Sequence, residues 1–554
     1  MAFANNIDAR NATINNAGGD QTIFRQCQPR AKLTLSLIIL NRTDGQDILD
    51  KLEPVTMDAS KRIECLPDTR SDILKFIINW VHDPAAQHNM LWVHGLAGSG
   101  KSTLSTTIAN IFRDSGQLGA FLFFDRDVTE RSNPMVVIKT LAHQLGTSNP
   151  RIGSAIRATI GRNQNMLTSP LQRQFQKLVI DPLSEIEHFT PKLVIVFDAL
   201  DECGTTEERD TLLAVLAHDF ANIPLAIRTI ITSRAESDIQ NVFESRQHIL
   251  TYELDITSTD NSDDILSYFR HCMSLIRTKN RHLKLAADWP GERVFHRLVE
   301  RASGLFVWAS TASQFINGHD PRKRLDVILS GGGLSGAEGA LDVLYKTALE
   351  SAGNWNDEDF VADFRNIMGV ILLAREPLSS TAIDALLDLS EDRPSIHTIS
   401  ILGCVLQPSP TVRVLHPSFP DFLMMQDRCA RDIWFFDRST YHHHLALRCL
   451  DRMDAVLKQN MCNMTLTVDI TTESLPEDVS YSCTFWIYHI CAIEDYIMSI
   501  VERLRLFLFR HLLHWFEAMS ILRRSGDTIS YLNRLLDWTS VSHCPAFTPW
   551  CRLL

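Results

Sequence analysis

No stretch of this 554-residue chain approaches the ~18–20 consecutive apolar residues that cross a bilayer as a helix. The most apolar runs, LTLSLIIL at 33–40 and IMGVILLA at 367–374, are too short and read as buried strand or helix. The 12 cysteines include no CxxC pair, and no Cys/His spacing suits zinc. An excess of positive charge is also missing. The net charge of −12 argues against any global grip on nucleic acid. The basic cluster Arg503, Arg505, Arg510, Arg523 and Arg524 reads as a solvated helix face. The first residues, MAFANNIDARNAT, lack the apolar core of a secretory signal. The expected setting is therefore a reducing, cytoplasmic one, with cysteines serving as small buried apolar side chains and the sequons at Asn11, Asn41 and Asn463 unmodified. No repeat of fixed period is present.

What is present is ordinary globular material, 45% apolar and 22% charged, enough for about three or four domains at ~150 residues each. Residues 1–50 form an Asn/Gly-rich arm, and a helical lead-in over 51–88 includes a helix with Ile73, Phe76, Ile77 and Trp80 on one face. Over 89–255, short apolar runs alternate with longer helical stretches. MLWVH (90–94), AFLFF (120–124), LVIVFD (193–198), RTIITS (228–233) and HILTYEL (248–254) have the near-continuous hydrophobicity of strands buried on both faces of a parallel sheet. The spacers accommodate crossover helices. Beyond 254 no strand series is evident. Helical domains are expected over 256–350 and 351–435, followed by a helical C-terminal region over 436–554, whose segment 501–516 is amphipathic.

Three motifs carry chemistry. GLAGSGKS (Gly95, Leu96, Ala97, Gly98, Ser99, Gly100, Lys101, Ser102), continued by Thr103, fits GxxxxGK[ST] between a strand and a helix. Glycines let backbone N–H groups curl round phosphate oxygens, and the helix N-terminus adds positive potential. Lys101 is placed to reach the β- and γ-phosphates, and the Ser102 hydroxyl to bind Mg²⁺. LVIVFDALDE ends a strand on Asp198, the second candidate Mg²⁺ ligand, followed by Asp201 and Glu202. Either acid could activate water, with Glu202 preferred. TIITSR brings Arg234 to the same sheet edge, where its guanidinium can read a γ-phosphate.

In this order the three motifs resemble the NACHT NTPases of the STAND class of P-loop ATPases. The discriminating part is Asp198, Ala199, Leu200, Asp201, Glu202, although many members carry glycine where Ala199 stands. ECLPDTRSDILKFIINWV before the P-loop, FQKLVIDPLSEI (175–186), RASGLFVWASTA (301–312) and VLHPSFPDFL (414–423) are similar to segments of such proteins in mushroom-forming fungi. The resemblance covers roughly 55–540. It implies an α/β P-loop NTPase core (a doubly wound parallel sheet), then all-α helical and winged-helix domains. By the same resemblance, His416 contacts the β-phosphate of ADP in the closed state. Phe306 replaces a proline that packs on adenine in many relatives.

The implied function is a slowly hydrolysing ATP/ADP switch using Mg²⁺, which opens and self-associates as a homo-oligomer on exchange, under an unidentified protein trigger. Defence or self/non-self recognition is what the family suggests. Relatives commonly continue into sensor repeats, and none is found before the chain stops. Two rival readings remain open: a P-loop phosphotransferase, and a non-catalytic scaffold that holds nucleotide for stability.

Overall fold

The computed structural model describes residues 48–541, apart from 187–191, 245, 331–335, 430, 462–474 and 495–497. The Asn/Gly-rich arm and the run at 33–40 lie outside the described residues.

The five expected strands form as β1 (Met90–His94), β2 (Leu118–Phe123), β3 (Leu193–Asp198), β4 (Ile227–Ser233) and β5 (Ile249–Glu253). They make one parallel sheet in the order β2-β3-β4-β1-β5. Alternation sorts each strand between two cores. Met90 and Trp92 of β1, with Ile195 and Phe197 of β3, face one core, whereas Leu91, Val93, Val194 and Val196 face the other. The second core is closed by α1 (Ser71–His82) and α2 (Lys101–Asp114), through Ile77, Trp80, Leu104 and Ile108. The first is closed by α3 (Val137–Ser148) and α4 (Thr206–His218), among other helices. The result is the doubly wound α/β fold of P-loop NTPases. β4 lies between β1 and β3, so the P-loop strand and the acidic strand are two strand spacings apart, about 9.5 Å.

The lead-in departs from expectation. It is helical over Ser71–His82, but residues 53–69 form a non-helical strap across the core. Pro54 and Pro67 lack the N–H a helix needs, and Glu53, Asp68 and Arg70 adopt positive φ.

Downstream, α5 (Thr259–Lys279), Glu292–Ala302 and α6 (Phe306–Ile316) begin a helical region whose core continues as far as Leu535. The segment 294–311 is two helices, broken at Ser303 and Gly304, both of positive φ. A methyl group built on Gly304 would meet the Ile256 carbonyl at 2.1 Å, so only glycine fits there. Over 351–435 the helices Glu358–Leu373, Ser380–Leu387 and Ser395–Ile401 precede an antiparallel ribbon, β6 (Leu406–Gln407) with β7 (Arg413–Val414), and then α7 (Ser418–Met424). The ribbon is a pair of isolated strands, not a strand series, and the sequence gives no sign of it. Two-residue strands are too short to leave an alternation in the sequence. Among the described residues no helix is long and apolar enough to cross a membrane.

Candidate functional site

The P-loop runs from the end of β1 into α2. Gly98 and Gly100 have φ of 79° and 92°, a region side chains resist. Gly98 is constrained twice, because a methyl group on it would lie 2.1 Å from Val307 Cγ1. Val307 N–H donates to the Gly98 carbonyl at 3.1 Å, so the first turn of α6 rests on the loop. Lys101 Nζ donates to the carbonyls of Gly95 (2.8 Å) and Leu96 (2.9 Å). Burial pushes its ammonium down to about 8, opposed by the carboxylate of Asp201.

Asp198, fully buried at the end of β3, accepts the Thr232 hydroxyl at 2.6 Å on one oxygen and pairs with the Arg62 guanidinium on the other. Ala199 then turns the chain at φ 59°, ψ 48° into a short turn, Leu200–Glu202. Buried Leu200 anchors this turn. Asp201 accepts the Arg234 backbone N–H at 3.0 Å and lies 3.3 Å from Arg234 Nε. Arg209 of α4, 2% exposed, donates to the Asp201 carbonyl at 2.7 Å and pairs with Asp238 and Glu236 at 2.8 and 2.9 Å. It thereby ties the acidic turn to the loop after β4. Glu202 accepts a long bond, 3.4 Å, from the Arg126 N–H. Burial pushes its carboxyl up to about 8 despite the Arg126 cation.

Ala199 stands in a left-handed conformation where many relatives carry glycine. A left-handed alanine costs about 1–2 kcal/mol, whereas glycine loses about 0.5–1 kcal/mol in backbone entropy. Ala199→Gly is expected to stabilise the folded chain by about 0.5–1 kcal/mol. A lower urea midpoint than wild type would refute this.

His416 reaches the cavity from the segment before α7. Its Nδ1 accepts the Ser418 N–H (3.2 Å) and lies 2.7 Å from Ser418 Oγ, which in turn lies 2.7 Å from the Tyr345 hydroxyl. Because Nδ1 is an acceptor, Nε2 carries the proton. Burial, then the nearby cations Arg234, Lys101 and Arg126, push the imidazolium down to about 3. The ring is therefore a neutral donor at physiological pH. On α7, Asp421 accepts Arg234 Nη1 at 3.0 Å and Arg126 Nη1 at 3.4 Å. Arg413 Nη1 reaches Asp125 at 3.3 Å beside them. Core and downstream region are thus joined by ion pairs at the sheet edge.

The cavity so enclosed measures about 370 Å³. Ala97, Gly98, Gly100, Lys101, Ser102, Thr103, Asp201, Glu202, Arg234 and His416 line it together. Gly95, Leu96 and Ser99 shape the loop without lining the cavity, and Asp198 lies beneath it, covered by Arg62. Ile63 and Leu66 of the strap, Arg70 at the N-terminus of α1 and Phe306 of α6 also line it. Arg70 packs over the Phe306 ring at 4.8 Å, donates to the Ser99 carbonyl, and binds Asp264 of α5 through its backbone N–H at 2.9 Å. Arg62, Arg70, Arg126, Arg209 and Asp421 escape motif reading, since single charges on irregular segments leave no periodic signal.

The donors suit a nucleotide. A helix N-terminus, Lys101 and the Nε2–H of His416 converge on one volume. The Ser102 hydroxyl and the Asp198 carboxylate are hard oxygen donors of the kind Mg²⁺ prefers.

Residues 70–234, from Arg70 to Arg234, match the family described as Nephrocystin 3, N-terminal. No curated protein matches the chain. Among solved structures it is similar to a STAND protein with a tetratricopeptide repeat sensor from Pyrococcus horikoshii (13% identity, 88% of this chain and 66% of that one, TM-score 0.40). The chain therefore spans just under two thirds of that protein. It is also similar to Cdc6p from Pyrobaculum aerophilum (13% identity, 64% and 93% covered, TM-score 0.29). A third likeness is to Drosophila ORC bound to DNA and Cdc6 (11% identity, 96% and 77% covered, TM-score 0.25). Sheet order, loop and strand-end residues define a P-loop NTPase fold. The family match falls on that core.

Proposed function

We propose that this chain is a nucleotide-controlled switch of the STAND class with a NACHT-type core, closed with ADP and opened by exchange for ATP and Mg²⁺. The observation that carries the reading is the convergence of Arg234 from the core and His416 from the downstream region on the P-loop cavity, with Asp421 joining the two regions through Arg234. A ligand shifts such an equilibrium only by binding the two states unequally. A neutral Nε2–H donor serves a diphosphate, and so His416 favours the closed form. A γ-phosphate needs the Arg234 guanidinium, which Asp421 engages in the closed form. Competition for Arg234 supplies the inequality. Mg²⁺, held by Ser102 and Asp198, would neutralise phosphate charge. The segment 351–435, with its three helices, ribbon and α7, acts as the winged-helix domain, and opening frees surfaces for self-association.

Glu202 serves as the base in this reading, because Asp201 is engaged by Arg234 through backbone and side chain. A carboxyl titrating at about 8 is mostly protonated at neutral pH, which accounts for slow hydrolysis. Hydrolysis is expected to rise with pH up to about 8 and to be lost in Glu202→Gln, which still binds nucleotide. Since the folded protein holds this proton more tightly than the unfolded chain, where a glutamate titrates at its ordinary 4.5, wild-type stability falls as pH rises between 4.5 and about 8. That slope flattens in Glu202→Gln. A variant that hydrolyses at the wild-type rate would transfer the role to Asp201.

The switch is tested by small-angle scattering and sedimentation of ADP- and ATP-analogue-loaded protein, with His416→Leu alongside. Expansion and association with ATP analogue, and in His416→Leu even with ADP, support it. Identical dimensions in every state would leave the scaffold reading.

A further inference from the structure

We propose that Arg62 is a metal-competing positioning residue: its guanidinium neutralises Asp198 until a nucleotide-bound divalent cation displaces it. This rests on the nucleotide reading above.

Both oxygens of Asp198 are engaged, one by Thr232 and the other by Arg62. Arg62 Nε donates to Thr106 Oγ1 at 3.1 Å, and Thr106 in turn donates to the Ser102 carbonyl at 2.7 Å. The guanidinium therefore bridges β3 to α2 one turn beyond Ser102, linking the two elements that present the oxygen donors assigned to the metal. Its cation lies over Phe123 (4.5 Å) and Phe121 (5.6 Å), which hold it at the buried carboxylate. A metal binding Asp198 directly or through water must take over the oxygen Arg62 uses, and two cations cannot share so enclosed a carboxylate without repulsion. The charge arrangement is thus complete without metal, and the cation must compete for its place.

Displacement has a structural consequence. Arg62 belongs to the strap whose next residues, Ile63 to Leu66, wall the cavity, and Cys65 N–H donates to Thr107 Oγ1 at 2.8 Å. Expelling the guanidinium loosens one side of the nucleotide cavity, so the strap distinguishes metal-bound nucleotide from metal-free nucleotide.

The test is Mn²⁺ titration of the full chain at saturating ADP and at saturating non-hydrolysable ATP analogue, read by electron paramagnetic resonance of free Mn²⁺. Arg62→Gln is expected to lower the half-saturating Mn²⁺ concentration at least about tenfold, a differential of about 1.4 kcal/mol. Arg62→Lys keeps the charge but loses the two-pronged contact, and should fall between them. In wild type, Mn²⁺ should also speed amide exchange over residues 55–66. Equal half-saturation in the three proteins overturns the inference. If Arg62→Gln fails to fold, unchanged half-saturation and exchange in Arg62→Lys overturns it equally. Nucleotide binding with unaltered metal demand sinks this inference alone, whereas absence of nucleotide binding from wild type sinks the proposed function with it.

Discussion

Lys101→Ala is expected to leave purification empty, whereas wild type releases about one ADP per chain when denatured and analysed by chromatography. Lys101 Nζ is held over the P-loop by two carbonyls of its own loop. A phosphate arriving there exchanges these neutral acceptors for charged ones. Charge-assisted hydrogen bonds contribute about 1.5–3 kcal/mol each, so losing the ammonium should weaken binding by at least about 100-fold. A second readout follows from the burial that lowers the ammonium to about 8. Between that value and the unfolded 10.5, the unfolded chain binds more protons, so the empty wild-type protein gains stability as pH rises through this window. Lys101→Ala lacks the gain. Phosphate restores the ammonium, so nucleotide binding near pH 8 should take up protons, measurable by calorimetry in buffers of different ionisation enthalpy. A wild-type protein that neither carries nor binds nucleotide would remove the functional reading altogether.

Asp421→Ala should open the molecule without unfolding it. Asp421 is the acceptor shared by Arg234 and Arg126, and its removal leaves two cations facing Lys101 with one carboxylate fewer. These side chains are 20–34% exposed, so solvent screens the pairs. Together they contribute roughly 1–2 kcal/mol to closure. That changes the closed-to-open ratio about 5- to 30-fold. The ADP-loaded variant should show a larger radius of gyration and faster ADP release, with nearly unchanged near-ultraviolet dichroism of the core. Wild-type dimensions and release would show that the ion pairs are incidental to closure.

The strands were legible because a sheet covered on both faces demands uninterrupted apolar runs, and LVIVFD is such a run in which every residue is buried. The P-loop and strand-end acids were legible because phosphate chemistry restricts residue type and spacing together. The strap was not. Arg62 and Arg70 meet Asp198, Ser99 and Phe306 across long sequence separations, and the irregular chain that brings them there has no period. Asp421 was equally hidden, since it lies on an unremarkable face of a seven-residue helix and acquires its partners only when that helix docks on the core. Ala199 stood in plain view, but its left-handed conformation belongs to the turn rather than to the composition.

The contact between α6 and the P-loop bears on how such a chain can be recombined. The Gly98 carbonyl receives the Val307 N–H while the Val307 side chain occupies the space a methyl on Gly98 would need. A gene fusion that cut after β5 would sever the phosphate loop from the element it rests on. An exchangeable cassette must therefore keep the P-loop and α6 together, and breakpoints between them should be absent from functional chimaeras.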